Sequence, residues 1–368
     1  PTATPLSAPW TEPQESGLEA KIAQVKSNKL ITIYTSSTIA RLEGQPGEFT
    51  ATIATAKGEE QVQVGAVVLS TGWTPLAGKY LEPMGYGKLP GVVTAGEFGK
   101  MLREGKMDAK RVAFVLDTTL AEEAAKAQAA AAAEAAAEEK PEAAAPAEGE
   151  AETPAFVKQD LESIKHLGYS NSVSGVAALR LANAVCDKFD GAQVFILYKD
   201  MVVQGLLERY YKHAQNRLGI MMTKADVTDI ARSGDALKVS CANTLLGMDF
   251  DVEVDMVVLP TGIVPTTAKD AVVQFAYRQG PDFPDLDLFD GFTDSNYICF
   301  PYETRRTGVY AAGCVRQPMT MDACAEDAAG AALKAIQCIE AATRGVAVHP
   351  RSGDLSYPIF NFVRCTQC

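Results

Sequence analysis

A chain of 368 residues, 47% hydrophobic and 22% charged, carries enough apolar material for two packed domains. Its formal charge of −12, from 34 basic and 46 acidic residues, argues against a nucleic-acid partner held through phosphates. Apolar runs fall short of the roughly 20 residues of a bilayer-spanning helix, no secretory signal is visible, and the eight Cys do not form a secreted disulfide framework. The expectation is a cytoplasmic protein with no direct membrane span.

In chain order, residues 1–16 are rich in Pro and Ser and predict an extended lead-in. Leu18, Ile22 and Val25 fall on one face of a short helix. Strands are expected at Leu30–Tyr34, Glu48–Ile53, Val62–Val64 and Ala66–Leu69, the first two separated by the turn signals of Glu43–Gly47. Arg111–Leu116 reads as the first strand of a second domain. A dinucleotide-binding domain would continue with G-x-G-x-x-G and a helix. Here Asp117-Thr-Thr runs instead into an Ala/Glu tract without Leu, Ile, Val or aromatics between Ala121 and Ala155, which cannot bury a face. The domain resumes at Ser170–Gly175, with a helix over Val176–Val185, a strand over Ala192–Tyr198 and a helix over Leu206–Asn216.

One pattern occurs twice. From Asn28 to Thr71 three strands lead into V-V-L-S-T-G-W-T-P, and from Asn216 to Thr261 three strands lead into V-V-L-P-T-G-I-V-P. Gly72 and Gly262 permit a sharp exit from a sheet, and Pro75 and Pro265 forbid strand continuation. Two such motifs at matching intervals indicate an internal duplication. The fold class expected is α/β, with two Rossmann-like three-layer domains. The division is a first segment over 1–108, a degenerate nucleotide-binding domain over 109–265 with a low-complexity insertion at 119–155, a return over 266–350, and a final segment over 351–368.

Near the end, Val309–Ala312 is a short apolar run closed by Gly313, and Pro318 stops any regular element ahead of Thr320. Thr320 or Asp322 then caps an Ala-rich helix with Leu333, Ile336 and Ile339 at helical spacing, expected to pack tightly on a sheet. A buried strand feeding a helix N-terminus offers free N–H groups to an anionic or electron-rich ring edge.

Few other residues suggest chemistry. Cys365-Thr-Gln-Cys368 is a C-x-x-C that reads as a stray pair, a redox dithiol or the first half of a cluster-ligand motif. Cys314 and Cys324 flank the last strand-to-helix turn, and core packing is the expectation for Cys324. His166, His213 and His349 lack metal-ligand spacing, and no nucleophile elbow supports a Ser–His–Asp triad.

The segments Val64–Trp73, Gly85–Gly87, Val92–Phe98, Asp255–Ile263 and Glu303–Cys314, in that order, resemble the flavoprotein (the A subunit) of heterodisulfide reductase. They also resemble the flavoprotein subunits of the quinone-interacting membrane-bound oxidoreductase. The resemblance runs from Asn28 onward, apart from the Ala/Glu tract. It implies domains of the FAD/NAD(P)-binding disulfide-reductase type and an oxidoreductase role as an electron-transfer subunit. Partners would be other subunits of a complex, with a membrane-anchored subunit in the quinone-linked case. It also implies FAD held near Thr71, Gly72, Trp73, Gly313, Cys314, Met319, Thr320, Met321 and Ala323, and a [4Fe–4S] cluster with Cys365 and Cys368 as its first ligands. Two features depart from the pattern. The N-terminal FAD fingerprint is missing, and the family's Cys-rich turn is here Gly168-Tyr-Ser-Asn-Ser-Val173, without Cys. The alternative expectation is a non-catalytic scaffold that keeps the fold and binds partner subunits without a cofactor.

Overall fold

The computed structural model describes residues 2–3, 14–15, 17–138, 162–243, 247–268, 290–293, 302–304, 306–346 and 348. The largest sheet is parallel and five-stranded. It is built from β8 (Val92–Thr94), β9 (Arg111–Val115), β10 (Gln193–Tyr198), β11 (Ile220–Lys224) and β15 (Met256–Leu259), in the order β11-β10-β9-β15-β8. After their first residues, Arg111 and Gln193, the central strands β9 and β10 are nearly all apolar, as sheets covered on both faces require; all four residues of β15 are buried. Helix α2 (Ala95–Glu104) lays Phe98 edge-on against Phe114 of β9, with ring centroids 5.5 Å apart. A capping box fixes its start, Thr94 accepting from the Glu97 N–H while Glu97 accepts from the Thr94 N–H. Helix α5 (Asn171–Lys188) buries Leu179, Ala182 and Val185 at helical spacing on the same side, and α6 (Leu207–Gln215) adds Tyr210 and Ala214 to that core. The edge strand β8 lies ahead of residue 109, so the parallel sheet begins earlier in the chain than Arg111.

Both copies of the duplicated unit are present. In the first, β3 (Thr38–Gln45), β4 (Glu48–Thr55) and β5 (Gly58–Val64) form an antiparallel meander that leads into β6 (Val67–Leu69). In the second, β12 (Asp226–Ser233), β13 (Ala236–Asn243) and β14 (Met248–Val254) do the same ahead of β15. The copies differ at their starts. Ile220–Lys224 of the second copy pairs with β10, whereas Leu30–Tyr34 of the first, expected as a strand, is irregular. Leu30 is 94% exposed, and no described strand lies beside it. Tyr34 donates to Glu60 at 2.7 Å, but no described strand pairs with the backbone of the run, so its propensity alone does not make a strand. The first strand of the unit is Thr38–Gln45 instead.

Two short strands, β1 (Thr2–Ala3) and β2 (Gln14–Glu15), pair antiparallel ahead of the first helix. Helix α1 (Leu18–Ser27) forms as expected but buries no residue. Helix α7 (Met321–Thr343) corrects a second expectation. The face it buries carries Asp327, Ala331, Cys338 and Ala341, while Leu333 and Ile336 remain 56% exposed. Small residues allow the close approach. The ring of Tyr302 lies directly over Gly330, where any Cβ would collide with it, and a Cβ on Gly65 would sit 2.8 Å from Ile339 Cγ1.

The Ala/Glu tract is helical over Thr119–Glu138 (α3). Its first turn is part of the fold, since Ala121 is fully enclosed and Leu120 packs against the same core. From Glu123 the described side chains turn outward, apart from Ala124 and Ala125. Deleting residues 129–150 should therefore change unfolding free energy by less than about 1 kcal/mol, because that segment has no Leu, Ile, Val or aromatic residue to bury and loop length costs little. Urea denaturation of the deletion variant checks this; a cut that also removed residues 119–125 should be clearly destabilising.

Candidate functional site

The two T-G-x-x-P motifs meet. Trp73–Thr74 (β7) pairs antiparallel with Val264–Pro265 (β16), Trp73 opposite Pro265 and Thr74 opposite Val264. The Leu76 N–H donates to the Thr261 carbonyl at 2.8 Å and the Thr266 N–H to the Gly72 carbonyl at 3.1 Å. The Thr266 hydroxyl donates to the Thr71 hydroxyl at 2.7 Å. Gly72 (φ 78°) and Gly262 (φ 62°) take the left-handed conformation this crossing needs. Behind Gly262 lies the backbone of His166, in the short helix α4 (Lys165–Tyr169); its buried ring bridges Ser163 and the Asp290 carbonyl, the latter at 2.8 Å.

The last strand, β17 (Val309–Ala311), runs parallel to β6 with Ala311 opposite Leu69. Thr71-Gly72 and Gly313-Cys314 therefore leave the sheet at the same carboxyl edge, where open α/β sheets bind ligands. Gly313 turns at φ 76°, and its N–H donates to Asp327 Oδ2 at 2.7 Å. Arg316 holds the other carboxylate oxygen, Nη2 to Oδ1 at 2.6 Å, with both side chains buried, and lies over the Tyr302 ring at 4.8 Å. This carboxylate fixes the turn, and sequence reading missed it. An Asp nearly two turns into an Ala-rich helix was the available signal.

At its N-terminus α7 has Thr320 as cap residue, but the Thr320 side chain makes no capping hydrogen bond. The N–H groups of the first turn are thus open to a ligand. Met319, Thr320, Asp322 and Ala323 line a cavity of about 650 Å³, faced across by Tyr169, Val173 and Gln204. That volume suits a ring-sized ligand. Tyr169 donates to Asp290 Oδ2 at 2.7 Å, and burial together with that carboxylate pushes its phenol up to about 12, so it stays protonated at neutral pH.

The structure thus brings Met319, Thr320 and Ala323 to one cavity wall, with Met321 beginning the helix behind them. Gly313 and Cys314 stand immediately behind that wall; the Cys314 thiol donates to the Met319 carbonyl at 3.6 Å. Thr71, Gly72 and Trp73 belong to the motif crossing and do not line the cavity. Thr74, next to Trp73, buries a hydroxyl that finds no partner among the described residues. Cys365 and Cys368 lie outside the described residues. Among the described residues no group of three or more His, Cys, Asp or Glu could hold a metal ion, and no helix is long and apolar enough to cross a membrane.

In the parallel sheet, the carboxyl end of β9 holds a side chain where a glycine-rich phosphate loop would begin. Asp117 is buried; Oδ1 accepts from the Thr119 hydroxyl at 2.7 Å and Oδ2 from the Val227 N–H at 2.7 Å. A fixed carboxylate at this place repels a pyrophosphate and uses donors near the α3 start.

Comparison with known proteins finds A subunits of heterodisulfide reductase among this chain's relatives. The chain is 27% identical over 186 residues to the A 2 iron-sulfur subunit of CoB–CoM heterodisulfide reductase from Methanopyrus kandleri, covering 50% of this chain and 27% of that one. It is 24% identical over 284 residues to the A subunit of the H(2):CoB-CoM heterodisulfide,ferredoxin reductase from Methanothermobacter thermautotrophicus, covering 75% and 37%. Among solved structures, T. acidophilum thioredoxin reductase overlays with a TM-score of 0.44 at 16% identity, covering 89% of this chain and 81% of that one. No protein-family model matches the chain. The chain is an α/β protein with parallel sheet cores, similar to the A subunit of heterodisulfide reductase, and it spans about a third of the length of these curated relatives.

Two measurements check this geometry. Asp327→Ala should cost about 3–5 kcal/mol of stability, because it removes the buried carboxylate to which the Arg316 guanidinium and the Gly313 N–H donate; chemical denaturation reads it directly. NADH titration should show no micromolar binding to the wild-type chain, while Asp117→Ala should lower stability by about 2–3 kcal/mol through unsatisfied buried donors. Micromolar NADH affinity would show that the carboxylate does not block the loop.

Proposed function

We propose that this chain is the flavin-carrying part of an oxidoreductase, acting as an electron-transfer subunit of a heterodisulfide-reductase-like or quinone-interacting complex. One observation carries the reading. The Gly313-Cys314 turn and the uncapped start of α7 lie beside a ring-sized cavity at the carboxyl edge of paired parallel strands. The similarity to the A subunit of heterodisulfide reductase supports it.

The residues fit the ring end of FAD. Gly313 has no side chain to block a close approach, the first-turn N–H groups of Met321 and Ala323 offer donors to a pyrimidine edge, and Met319 and Thr320 supply an apolar and a hydroxyl contact. The bound flavin would supply reversible electron acceptance; the chain's part is to hold and orient it and to tune its potential. Asp327 keeps the turn in place for that purpose. The adenine–pyrophosphate half finds no glycine-rich cradle among the described residues. In this reading residues 1–108 and 266–350 form the flavin domain, which lends Val92–Glu104 to the neighbouring sheet. Residues 109–265 form a nucleotide-like domain that no longer binds nucleotide. Cys365 and Cys368, in the segment 351–368, are proposed as the first ligands of a [4Fe–4S] cluster that passes electrons on. Partners are the other subunits of the complex, in a cytoplasmic setting.

A scaffold without cofactor is the second reading, favoured by Asp117 in the phosphate-loop position and by the exposed Leu333 and Ile336 on α7. Absorption decides between them. The full-length polypeptide, purified anaerobically, should carry stoichiometric flavin, and Gly313→Val should lose at least about nine-tenths of it, since a branched side chain at positive φ displaces the turn. Colourless full-length protein that stays so after FAD reconstitution would leave the scaffold.

A further inference from the structure

Ten positions separate Cys314 from Cys324 in the chain, yet folding brings their sulfurs to 3.8 Å. Gly313 does this by turning at positive φ, which sends Cys314 back beneath the first turn of α7. There Cys324 is anchored by its N–H to the Thr320 carbonyl at 2.9 Å. Cys324 packs against the small core of Ile263, Phe292, Cys314 and Met319, in line with the sequence expectation, and within that packing its sulfur meets that of Cys314. The two are unequally accessible: Cys314 is 7% exposed, whereas Cys324 is half-buried; it follows the cavity-lining Ala323 without lining the cavity itself. The other described cysteines, Cys186, Cys241 and Cys338, have no sulfur partner among the described residues.

We infer that Cys314 and Cys324 form a reversible dithiol–disulfide centre that exchanges with a low-molecular-weight disulfide, with Cys324 as the outward sulfur and Cys314 as the resolving one. This goes beyond the flavin reading and does not depend on it.

Atoms and electrons balance through two exchange steps. Cys324 passes its proton to Cys314, and the Cys324 thiolate attacks one sulfur of the external disulfide, expelling one thiolate and forming a mixed disulfide. Cys314 gives that proton to the departing thiolate, and its own thiolate then attacks Cys324 Sγ. The protein disulfide forms, the mixed disulfide breaks, and the second external thiol leaves with the proton lost from the pair. The pair is oxidised by two electrons, and one external disulfide becomes two thiols. Closing the bond needs the sulfurs to move from 3.8 Å to about 2 Å, within the reach of side-chain rotation.

The contact between the sulfurs lowers Cys314 below the ordinary thiol range despite its burial and raises Cys324 above it, so the resting thiolate is on Cys314 and Cys324 attacks only after its proton has passed to Cys314. Asp327 opposes a thiolate at Cys314, but Arg316 and the Gly313 N–H already engage its carboxylate. By contrast, burial pushes Cys241 up to about 12 and also raises Cys186 and Cys338.

Peptide mapping tests this. Trypsin places Cys314 in the peptide 307–316 and Cys324 in the peptide 317–334, each with a single Cys. The folded chain is equilibrated with oxidised and reduced glutathione, its free thiols are blocked, and the digest is read by mass spectrometry. The expected product is the two peptides joined with loss of two hydrogens, returning to free thiols in excess reduced glutathione. In Cys314→Ser, glutathione should be trapped on Cys324; in Cys324→Ser, the buried Cys314 should carry about tenfold less. Both thiols free even in excess oxidised glutathione would overturn the inference, as would pairing of either with another Cys, or a metal ion copurifying on the pair. The wild-type map decides even if a variant fails to fold, and it needs no bound flavin.

Discussion

The contact between the two T-G-x-x-P motifs is the constraint on which the arrangement rests. Each motif ends a parallel strand with a glycine at positive φ, and each proline stops the strand from continuing. Together they make a two-residue antiparallel bridge whose flanking hydrogen bonds join Gly72 to Thr266 and Leu76 to Thr261. Turn chemistry that was duplicated within the chain has become the joint between the duplicated units. The joint also brings His166 behind Gly262 and so sets the wall that faces α7 across the cavity.

Two buried aspartates show how one residue type is used for different ends. Asp327 accepts a backbone N–H and a guanidinium, and the turn it fixes leaves the α7 start uncapped and open. Asp117 accepts from Thr119 and Val227 at the end of the central strand of the other sheet. There the carboxylate fills the place an anion would take. Both are satisfied, as buried carboxylates must be. One leaves helix donors free for a ligand and the other consumes them.

The contrast between the copies is equally physical. Ile220–Lys224 and Leu30–Tyr34 occupy equivalent places after Asn216-Arg-Leu and Asn28-Lys-Leu. Only the former finds a parallel neighbour among the described residues, and only it is a strand. Sheet structure is a property of pairs, and the same β-prone composition gives two outcomes according to what lies alongside.

Features written in local chemistry were legible in the sequence: the duplication, the strand exits at Gly72 and Gly262, the interrupted phosphate loop after Leu116, and the strand-to-helix turn at Gly313. Glycine, proline and apolar runs act over a few residues, so their consequences can be read without knowing what packs where. Tertiary structure alone decided the rest. Leu333, Ile336 and Ile339 have core spacing, yet α7 packs through Ala331, Cys338 and Ala341, because the approach of Tyr302 to Gly330 allows only small residues on that side. The Ala/Glu tract reads as featureless, yet its first turn is core because Asp117 captures Thr119. The meeting of Cys314 with Cys324 and of Asp327 with Gly313 depends on a single left-handed residue between strand and helix. Distances across a turn are set by the folded backbone, and composition does not encode them.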